Sequence, residues 1–195
     1  MGNRVSSIVQ SGINVGGIGA IHVAPIPDRE NIGNFESIMP WTALSNDTTG
    51  IAVDKAHILG TLSLEFDKVD GTDNKKYAGV TGTIASLDVS RFVAQDMLVG
   101  ALYLSTLADV DYAFIRLGTD GSHYNEWRIG VASIAPGIWQ MFSKTLAETG
   151  IAITGDGWDT AAIVYIVAGV MFGVETDTLA DIRFDHLAIE RARSL

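Results

Sequence analysis

The sequence predicts an all-β protein built as a two-sheet antiparallel sandwich, on three observations. Turn residues recur roughly every 8–15 residues after position 35, a spacing typical of sandwiches. Between the turns, apolar and polar residues alternate, as they do around Leu62, Leu64 and Phe66. Of the 195 residues, 47% are hydrophobic and only 18% are charged, which fits either one large apolar core or a surface partly covered by partners. The length fits a single globular domain.

The individual strands follow from this alternation. Residues 97–104 are apolar on both faces, which is typical of a strand buried between layers. Gly118-Thr119-Asp120-Gly121 gives the clearest hairpin signal, because glycine and aspartate tolerate positive φ. Single helical turns are expected at 44–47 and 90–95. The predicted strands span 61–67, 80–89, 97–104, 112–117, 124–131, 138–142, 161–174 and 182–189.

Residues 1–34 differ in composition from the rest and predict an extended N-terminal arm ahead of a sandwich spanning 35–195. Glycines, together with Pro25 and Pro27, disfavour helix and remove hydrogen-bond donors. The segment is nevertheless too apolar for a solvated linker. Three alternatives stay open: an arm packed along its own domain, an arm exchanged onto a neighbouring subunit, or a disordered arm.

Charge and cysteine content exclude several functions. The net charge is −10, so the chain repels nucleic-acid phosphate and anionic lipid, and neither partner is expected. The absence of cysteine excludes disulfides, thiol catalysis and cysteine-ligated zinc. Residues 1–20 do not resemble a signal peptide. The longest apolar run, 161–174, is shorter than the ~20 residues needed to cross a bilayer.

No catalytic, cofactor-binding or metal-binding residue is assigned. The histidines lack helical zinc spacing, and Ser90 lacks the Gly-x-Ser-x-Gly turn. The glycines of 12–19 are not followed by the helix that phosphate binding needs. Acidic strand residues are expected to face water, although two opposed acids would suit glycoside hydrolysis. The histidines are His22, His57, His123 and His186, and the acids are Glu65, Asp67, Asp88, Glu126 and Asp185.

The four tryptophans carry the better signal for a ligand. Aromatic rings on a sheet face can stack against pyranose rings, so they can form a sugar-binding platform. The alternative is that they belong to the core. Tyr124 and Trp127 have opposite parity in a strand, so both cannot face one ligand without a bulge. The tryptophans are Trp41, Trp127, Trp139 and Trp158.

Four segments together carry a family resemblance. They are Asn34-Phe35-Glu36 with Trp41, residues 56–64, Tyr124-Asn125-Glu126-Trp127 with Pro136-Gly137-Ile138-Trp139, and residues 181–187. Over residues 34–190 the pattern resembles jelly-roll carbohydrate-binding modules of the galactose-binding-like group, and jelly-roll domains of phage tail and virion proteins. The resemblance implies a two-sheet jelly roll and a structural calcium ion near Glu36 and Asp185, although no cofactor is required.

Three functions follow from these expectations. The leading hypothesis is a non-enzymatic structural component of a bacteriophage virion, a capsid decoration or tail protein assembled in the host cytoplasm. Its partners would be itself, as a homo-oligomer, and other virion proteins. The alternative is a carbohydrate-binding module acting in host or glycan recognition. The third hypothesis is a glycan-degrading enzyme on the same fold.

Overall fold

The computed structural model describes residues 29–33, 35, 41–58, 60–148 and 153–192. Within these ranges the chain forms twelve β-strands and one 3-10 turn at Val131–Ser133. The strands are β1 Arg29–Gly33, β2 Thr42–Ala43, β3 Thr48–Asp54, β4 Ser63–Lys68, β5 Tyr77–Leu87, β6 Met97–Leu104, β7 Val110–Asp120, β8 His123–Gly130, β9 Gln140–Thr145, β10 Ile153–Thr154, β11 Ile163–Phe172 and β12 Leu179–Glu190.

The strands form two antiparallel sheets. Sheet 1 has the order β3-β4-β12-β6-β9, and β1 also pairs with β12. Sheet 2 has the order β10-β8-β7-β11-β5-β2. The predicted all-β sandwich of two antiparallel sheets is therefore confirmed.

The core lies between the sheets, because the inward side chains of both sheets are apolar. Leu64 and Phe66 of β4 are fully buried, whereas Glu65 between them is half-buried, so the predicted alternation is confirmed. The Phe66 and Phe184 rings lie parallel at 6.1 Å, which joins β4 to β12 inside the core. Residues 97–104 form β6 as predicted. The β7–β8 hairpin also forms, but residues 118–120 belong to β7, so its turn falls at Gly121 and Ser122, later than predicted.

Strand β12 is the centre of sheet 1. One of its edges pairs with β6, and the opposite edge pairs with β4 near Leu179 and with β1 near Glu190. Strand β1 is therefore part of sheet 1, although it falls inside the segment predicted as an arm. Ile32 of β1 is 5% exposed and belongs to the core. Residues 1–28 and residue 34 lie outside the described ranges, so the domain boundary stays a prediction.

A buried ion pair fixes the connection between β3, β4 and β5. The side chains of Lys68 and Asp47 are both fully buried, with Nζ 3.7 Å from Oδ2. The Lys68 ammonium also donates to the carbonyls of Val69 at 2.6 Å and Glu175 at 2.8 Å. Asp47 accepts the backbone N–H groups of two residues in the β4–β5 loop, Asp73 and Lys75. Both charges therefore have several polar partners, as burial requires.

The structure differs from the sequence expectations in its turns and in its short strands. Within the apolar run 161–174, one strand, β11, spans Ile163–Phe172. The 44–47 and 90–95 segments contain hydrogen-bonded turns but no helix. Strands β2, β3 and β10 were not predicted.

No helix within the described ranges is long and apolar enough to cross a membrane.

Candidate functional site

The candidate site lies on the outer face of sheet 2 and begins with the β7–β8 hairpin. Alternate residues of β8 point inward, where Trp127 and Ile129 join the core. The residues between them point outward. The antiparallel register places the outward residues of β7 and β8 side by side, and Tyr165 of β11 lies in the adjacent strand. We call this set the tyrosine–arginine face: Tyr112, Phe114 and Arg116 of β7, Tyr124, Glu126 and Arg128 of β8, and Tyr165 of β11.

Glu126 is the charged centre of the face. Its Oε2 accepts from Arg116 Nε at 2.9 Å, and its Oε1 accepts from Arg128 Nε at 2.6 Å. The side chain of Glu126 is 2% exposed, while those of Arg116 and Arg128 are 14% and 30% exposed. The carboxylate is thus buried beneath two guanidinium groups, each of which it holds by one nitrogen.

Both guanidinium groups also stack on aromatic rings. Arg116 Cζ lies 4.5 Å from the centroid of the Phe114 ring and 4.9 Å from that of Tyr124. Arg128 Cζ lies 4.4 Å from the Tyr112 ring. A cation over a ring face is attracted by the ring quadrupole. The arginines are therefore fixed both by Glu126 and by the rings below them.

The floor of the face is apolar. Phe114 and Val167 are fully buried, yet neither belongs to the core cluster between the sheets. Gly169 of β11 makes room for the Phe114 ring, because a Cβ at that position would lie 2.5 Å from Phe114 Cζ. The outer face therefore holds a sheltered apolar strip beneath its arginines.

The tyrosines line the two ends of the strip. Tyr124 and Tyr165 lie 6.2 Å apart at one end, and Tyr112 meets Phe114 edge-on at 6.3 Å at the other. Burial raises the pKa of Tyr112, and the charge of Glu126 raises it further. Burial also raises the pKa of Tyr165, opposed by the charge of Arg116 and a hydrogen bond with Thr81. Both phenols therefore stay protonated, and able to donate, across the neutral pH range.

The four tryptophans do not lie together on one sheet face. Trp127 is fully buried, donates from Nε1 to the Thr145 carbonyl at 3.1 Å, and meets Trp158 edge-on at 5.1 Å. Trp41 is buried and stacks on Phe35. Trp139 packs against Tyr103 of sheet 1 at 5.9 Å. The alternative assignment to the core therefore holds for Trp41 and Trp127, and the opposite parity of Tyr124 and Trp127 is confirmed.

The acidic strand residues divide between the sheets. Glu65, Asp67 and Asp185 belong to sheet 1, whereas Glu126 belongs to sheet 2. Each engages other groups: Glu65 accepts from Arg183 Nε at 2.6 Å, Asp67 accepts from the Asp181 N–H at 3.0 Å, and Asp185 accepts from the Ile58 N–H at 2.8 Å. Asp88 accepts the Ser90 N–H in an exposed turn. The expectation that these acids face water is therefore wrong for Glu126 and Asp185, which are both 1% exposed.

The histidines are also dispersed. His123 is exposed on the hairpin, with Nδ1 3.0 Å from Asp120 Oδ1. His57 contacts the Lys55 carbonyl, and His186 follows Asp185 in β12. Over the described ranges, no three acidic or histidine side chains gather as metal ligands. His22 and Glu36 lie outside those ranges, so the calcium site stays a prediction.

A concavity lies beside the hairpin end of sheet 2. It has a volume of about 370 Å³ and is open to solvent. Its lining combines acidic groups with the half-buried indole of Trp158: Thr119, His123, Asp156, Gly157, Trp158 and Asp159.

Sequence reasoning missed most of the tyrosine–arginine face. Its signal was present, because Tyr112, Phe114 and Arg116 alternate on β7 as Tyr124, Glu126 and Arg128 do on β8. The hairpin that aligns these two sets was predicted. The sequence of each strand alone does not show that its tyrosines and arginines share one face with those of the next strand.

The sequence matches no protein-family profile and no curated protein sequence. Solved structures do match. The family 11 carbohydrate-binding module of a cellulosomal cellulase of Clostridium thermocellum superposes with a TM-score of 0.58 at 10% identity, covering 86% of this chain and 96% of that module. The same family's module has been solved with a β-1,3-1,4-mixed-linked tetrasaccharide, and it superposes with a TM-score of 0.57 at 11% identity, over 86% of this chain and 98% of the module.

Two further structures extend this likeness. A family 30 carbohydrate-binding module superposes with a TM-score of 0.60 at 12% identity, covering 84% of this chain and 99% of the module. An exo-β-agarase matches with a TM-score of 0.59 at 11% identity, but the match covers 84% of this chain and only 24% of the enzyme. At these identities the likeness shows the fold, which is that of carbohydrate-binding β-sandwiches.

Proposed function

We propose that this protein is a non-enzymatic glycan-binding module, and that the tyrosine–arginine face is its binding surface. The observation that carries the proposal is the set of partly exposed tyrosines on the outer face of sheet 2, beside two arginines that are fixed over a buried apolar floor. Aromatic rings bury the C–H faces of sugars, and fixed N–H donors select their hydroxyl groups.

The likeness to carbohydrate-binding modules supports the same reading. One of those modules has been solved with an oligosaccharide, and this chain covers nearly its whole length. The match to an exo-β-agarase covers about a quarter of that enzyme, so it supports a module of this fold and not the enzyme's activity. The glycan-binding alternative therefore has more support than the virion role.

The virion role stays a prediction. It rested largely on the N-terminal segment, and residues 1–28 lie outside the described ranges. Assembly in a host cytoplasm and virion partners have no further support.

A binding screen with matched variants tests the proposal. The protein should bind at least one member of a panel of neutral and acidic polysaccharides in affinity electrophoresis. Tyr165→Ala and Tyr124→Ala should each weaken that binding by about tenfold, because each removes a stacking ring. Tyr103→Ala is the matched control, since it removes a tyrosine from the outer face of sheet 1. Retained folding is checked by thermal unfolding.

Two outcomes would overturn the proposal. One is no binding to any polysaccharide of the panel. The other is a loss of binding that is equal for Tyr103→Ala and for the two face variants.

A further inference from the structure

The tyrosine–arginine face carries two arginines and one carboxylate, although the molecule as a whole is acidic. Its charged side chains are Arg116, Arg128 and Glu126, so two positive charges and one negative charge leave a net charge of +1. The whole chain carries −10. The outer face of sheet 1 presents acids around one stacked arginine, with Glu65, Asp54 and Asp181 all close to Arg183.

The acidic charge of the distant face does not cancel this local charge. The two sheets of a sandwich pack ~10 Å apart, so their outer faces are farther apart than that. The Debye length at physiological salt is about 8 Å, and solvent-exposed charges beyond it are largely screened. A ligand on the tyrosine–arginine face therefore responds mainly to Arg116, Arg128 and Glu126, and to the exposed Asp111, whose charge also acts on Tyr112.

The arginines retain unused donors. Glu126 engages the Nε of each arginine. Within the part of the chain that the structure describes, no protein acceptor meets the terminal nitrogens of Arg128. These nitrogens belong to a side chain that is 30% exposed and is fixed over the Tyr112 ring. Arg128 thus presents a fixed, charged donor edge to solvent.

We infer that the glycan bound on this face is acidic, with carboxylate or sulfate groups on its pyranose rings, and that Arg128 selects for that charge. The inference rests on the proposed function and names its ligand class. A guanidinium group matches the geometry of two-oxygen anions, and charge-assisted hydrogen bonds are stronger than neutral ones. A neutral glycan would use the rings but not the charge of Arg128.

Calorimetry with pairs of charged and neutral oligosaccharides tests this inference. The probes are oligogalacturonate, its fully methyl-esterified form, a sulfated galactan oligosaccharide and a neutral agaro-oligosaccharide. We expect a charged probe to bind about tenfold or more tighter than its neutral counterpart, as a charge-assisted hydrogen bond predicts. Increasing salt should reduce that preference. The carboxylate and sulfate pairs distinguish the two kinds of anion.

Variants of the arginines show which residue causes the preference for charged over neutral probes. Arg128→Gln should reduce it to within about threefold, and Arg128→Lys should retain part of it, because lysine keeps the charge but lacks the planar fork. The control is Arg183→Gln, which removes the arginine stacked on Tyr103 at 5.0 Å on the outer face of sheet 1. It should leave the preference unchanged. Thermal unfolding of each variant checks that it is folded.

A failure of the acidic-glycan inference can be distinguished from a failure of the proposed function. If neutral probes bind as tightly as charged ones, or if Arg128→Gln keeps the full preference, the acidic-glycan inference is wrong and the proposed function stands. If no probe binds and the wider polysaccharide panel is also silent, the proposed function fails as well.

Discussion

Glu126 shows how one side chain can organise a surface. It is the only member of the tyrosine–arginine face that is both charged and nearly inaccessible, at 2% side-chain exposure. Its two oxygens fix two arginines, and those arginines cover Phe114 and Tyr112. The order of the face therefore depends on one carboxylate.

We predict that Glu126→Gln lowers the free energy of unfolding by about 2 kcal/mol or more, because it leaves charge-assisted hydrogen bonds without their anion. Denaturant titration measures this. Glu148→Gln is the control, since the exposed Glu148 pairs with Lys144 on the surface and should cost less than about 0.5 kcal/mol. Equal losses for the two variants would contradict the organising role of Glu126.

The raised pKa values of Tyr112 and Tyr165 predict an alkaline transition. An ordinary tyrosine has a pKa of about 10. Since folding raises these two pKa values, the folded state holds the phenolic protons more tightly than the unfolded state. Their contribution to stability is complete below pH ~10 and is lost as the pH rises through the folded values.

We therefore expect Tyr112→Phe and Tyr165→Phe to flatten the fall in unfolding free energy above pH ~10. Ultraviolet absorbance of the wild type should show part of its tyrosine ionising later than the rest. Ionisation of every tyrosine at the ordinary pKa would show that burial does not protect them.

At the residue scale, alternation predicted the orientation of side chains but not their combination. It placed Leu64, Phe66 and Glu65 correctly, and it separated Tyr124 from Trp127. It did not distinguish stacking tryptophans from core ones. That distinction depends on which layer covers a strand, and a single strand's sequence does not carry it.

The elements of sheet 1 depend on β12, which has partners on both edges. Strand β1 pairs with its C-terminal half and buries Ile32. It also forms the ion pair between Arg29 and Glu190 at 3.1 Å. This strand is therefore structural, whatever residues 1–28 do.

A chain that begins at Asn34 should be at least about 2 kcal/mol less stable than one that begins at Arg29, because it loses the burial of Ile32 along with β1. Denaturant titration of the two truncated chains measures the difference. Equal stabilities would mean that β1 adds nothing to sheet 1.

We expect the stability of the protein to depend equally on the buried ion pair that connects β3, β4 and β5. Asp47→Ala removes the anion from the buried Lys68 ammonium and leaves two backbone N–H groups of the β4–β5 loop without their acceptor. Loss of one member of a buried pair costs about 3–5 kcal/mol. Asp73→Ala is the control, because Asp73 accepts from Asn46 at an exposed site. A similar, small loss for both variants would argue against the role of the pair.

At the element scale, the long strands were predictable and the short ones were not. Strand β6 has continuous apolar character, and β7 and β8 flank a strong turn signal. Strands β2 and β10 have two residues each, which is too short to show an alternation of apolar and polar residues. Strand β3 contains Gly50 at positive φ and a register shift, and both interrupt its alternation.

For the whole molecule, the sequence predicted the sandwich but ranked its functions in an order that the structural likenesses do not support. The fold has support from carbohydrate-binding modules, whereas the virion role has none. Fold alone does not specify function. The distinguishing feature is the composition of one sheet face, which appears only when β7, β8 and β11 are aligned.

The homo-oligomer also stays a prediction at this scale. If residues 1–28 drive assembly, the solution mass of the full chain should be a multiple of the mass of one subunit, and a chain that begins at Arg29 should be a monomer. Light scattering measures both. Equal oligomeric states for the two chains would exclude those residues as the assembly device.

The two-residue strands that close sheet 2 also bear on solubility. Edge strands with many free N–H and C=O groups recruit foreign strands and promote aggregation. Strands β2 and β10 offer very few such groups. In sheet 1, the register shift of β3 interrupts one edge, and Lys144 places a charge on the other. Within the described ranges, the outermost strands of both sheets are therefore short, interrupted or charged, which disfavours edge-to-edge pairing between copies.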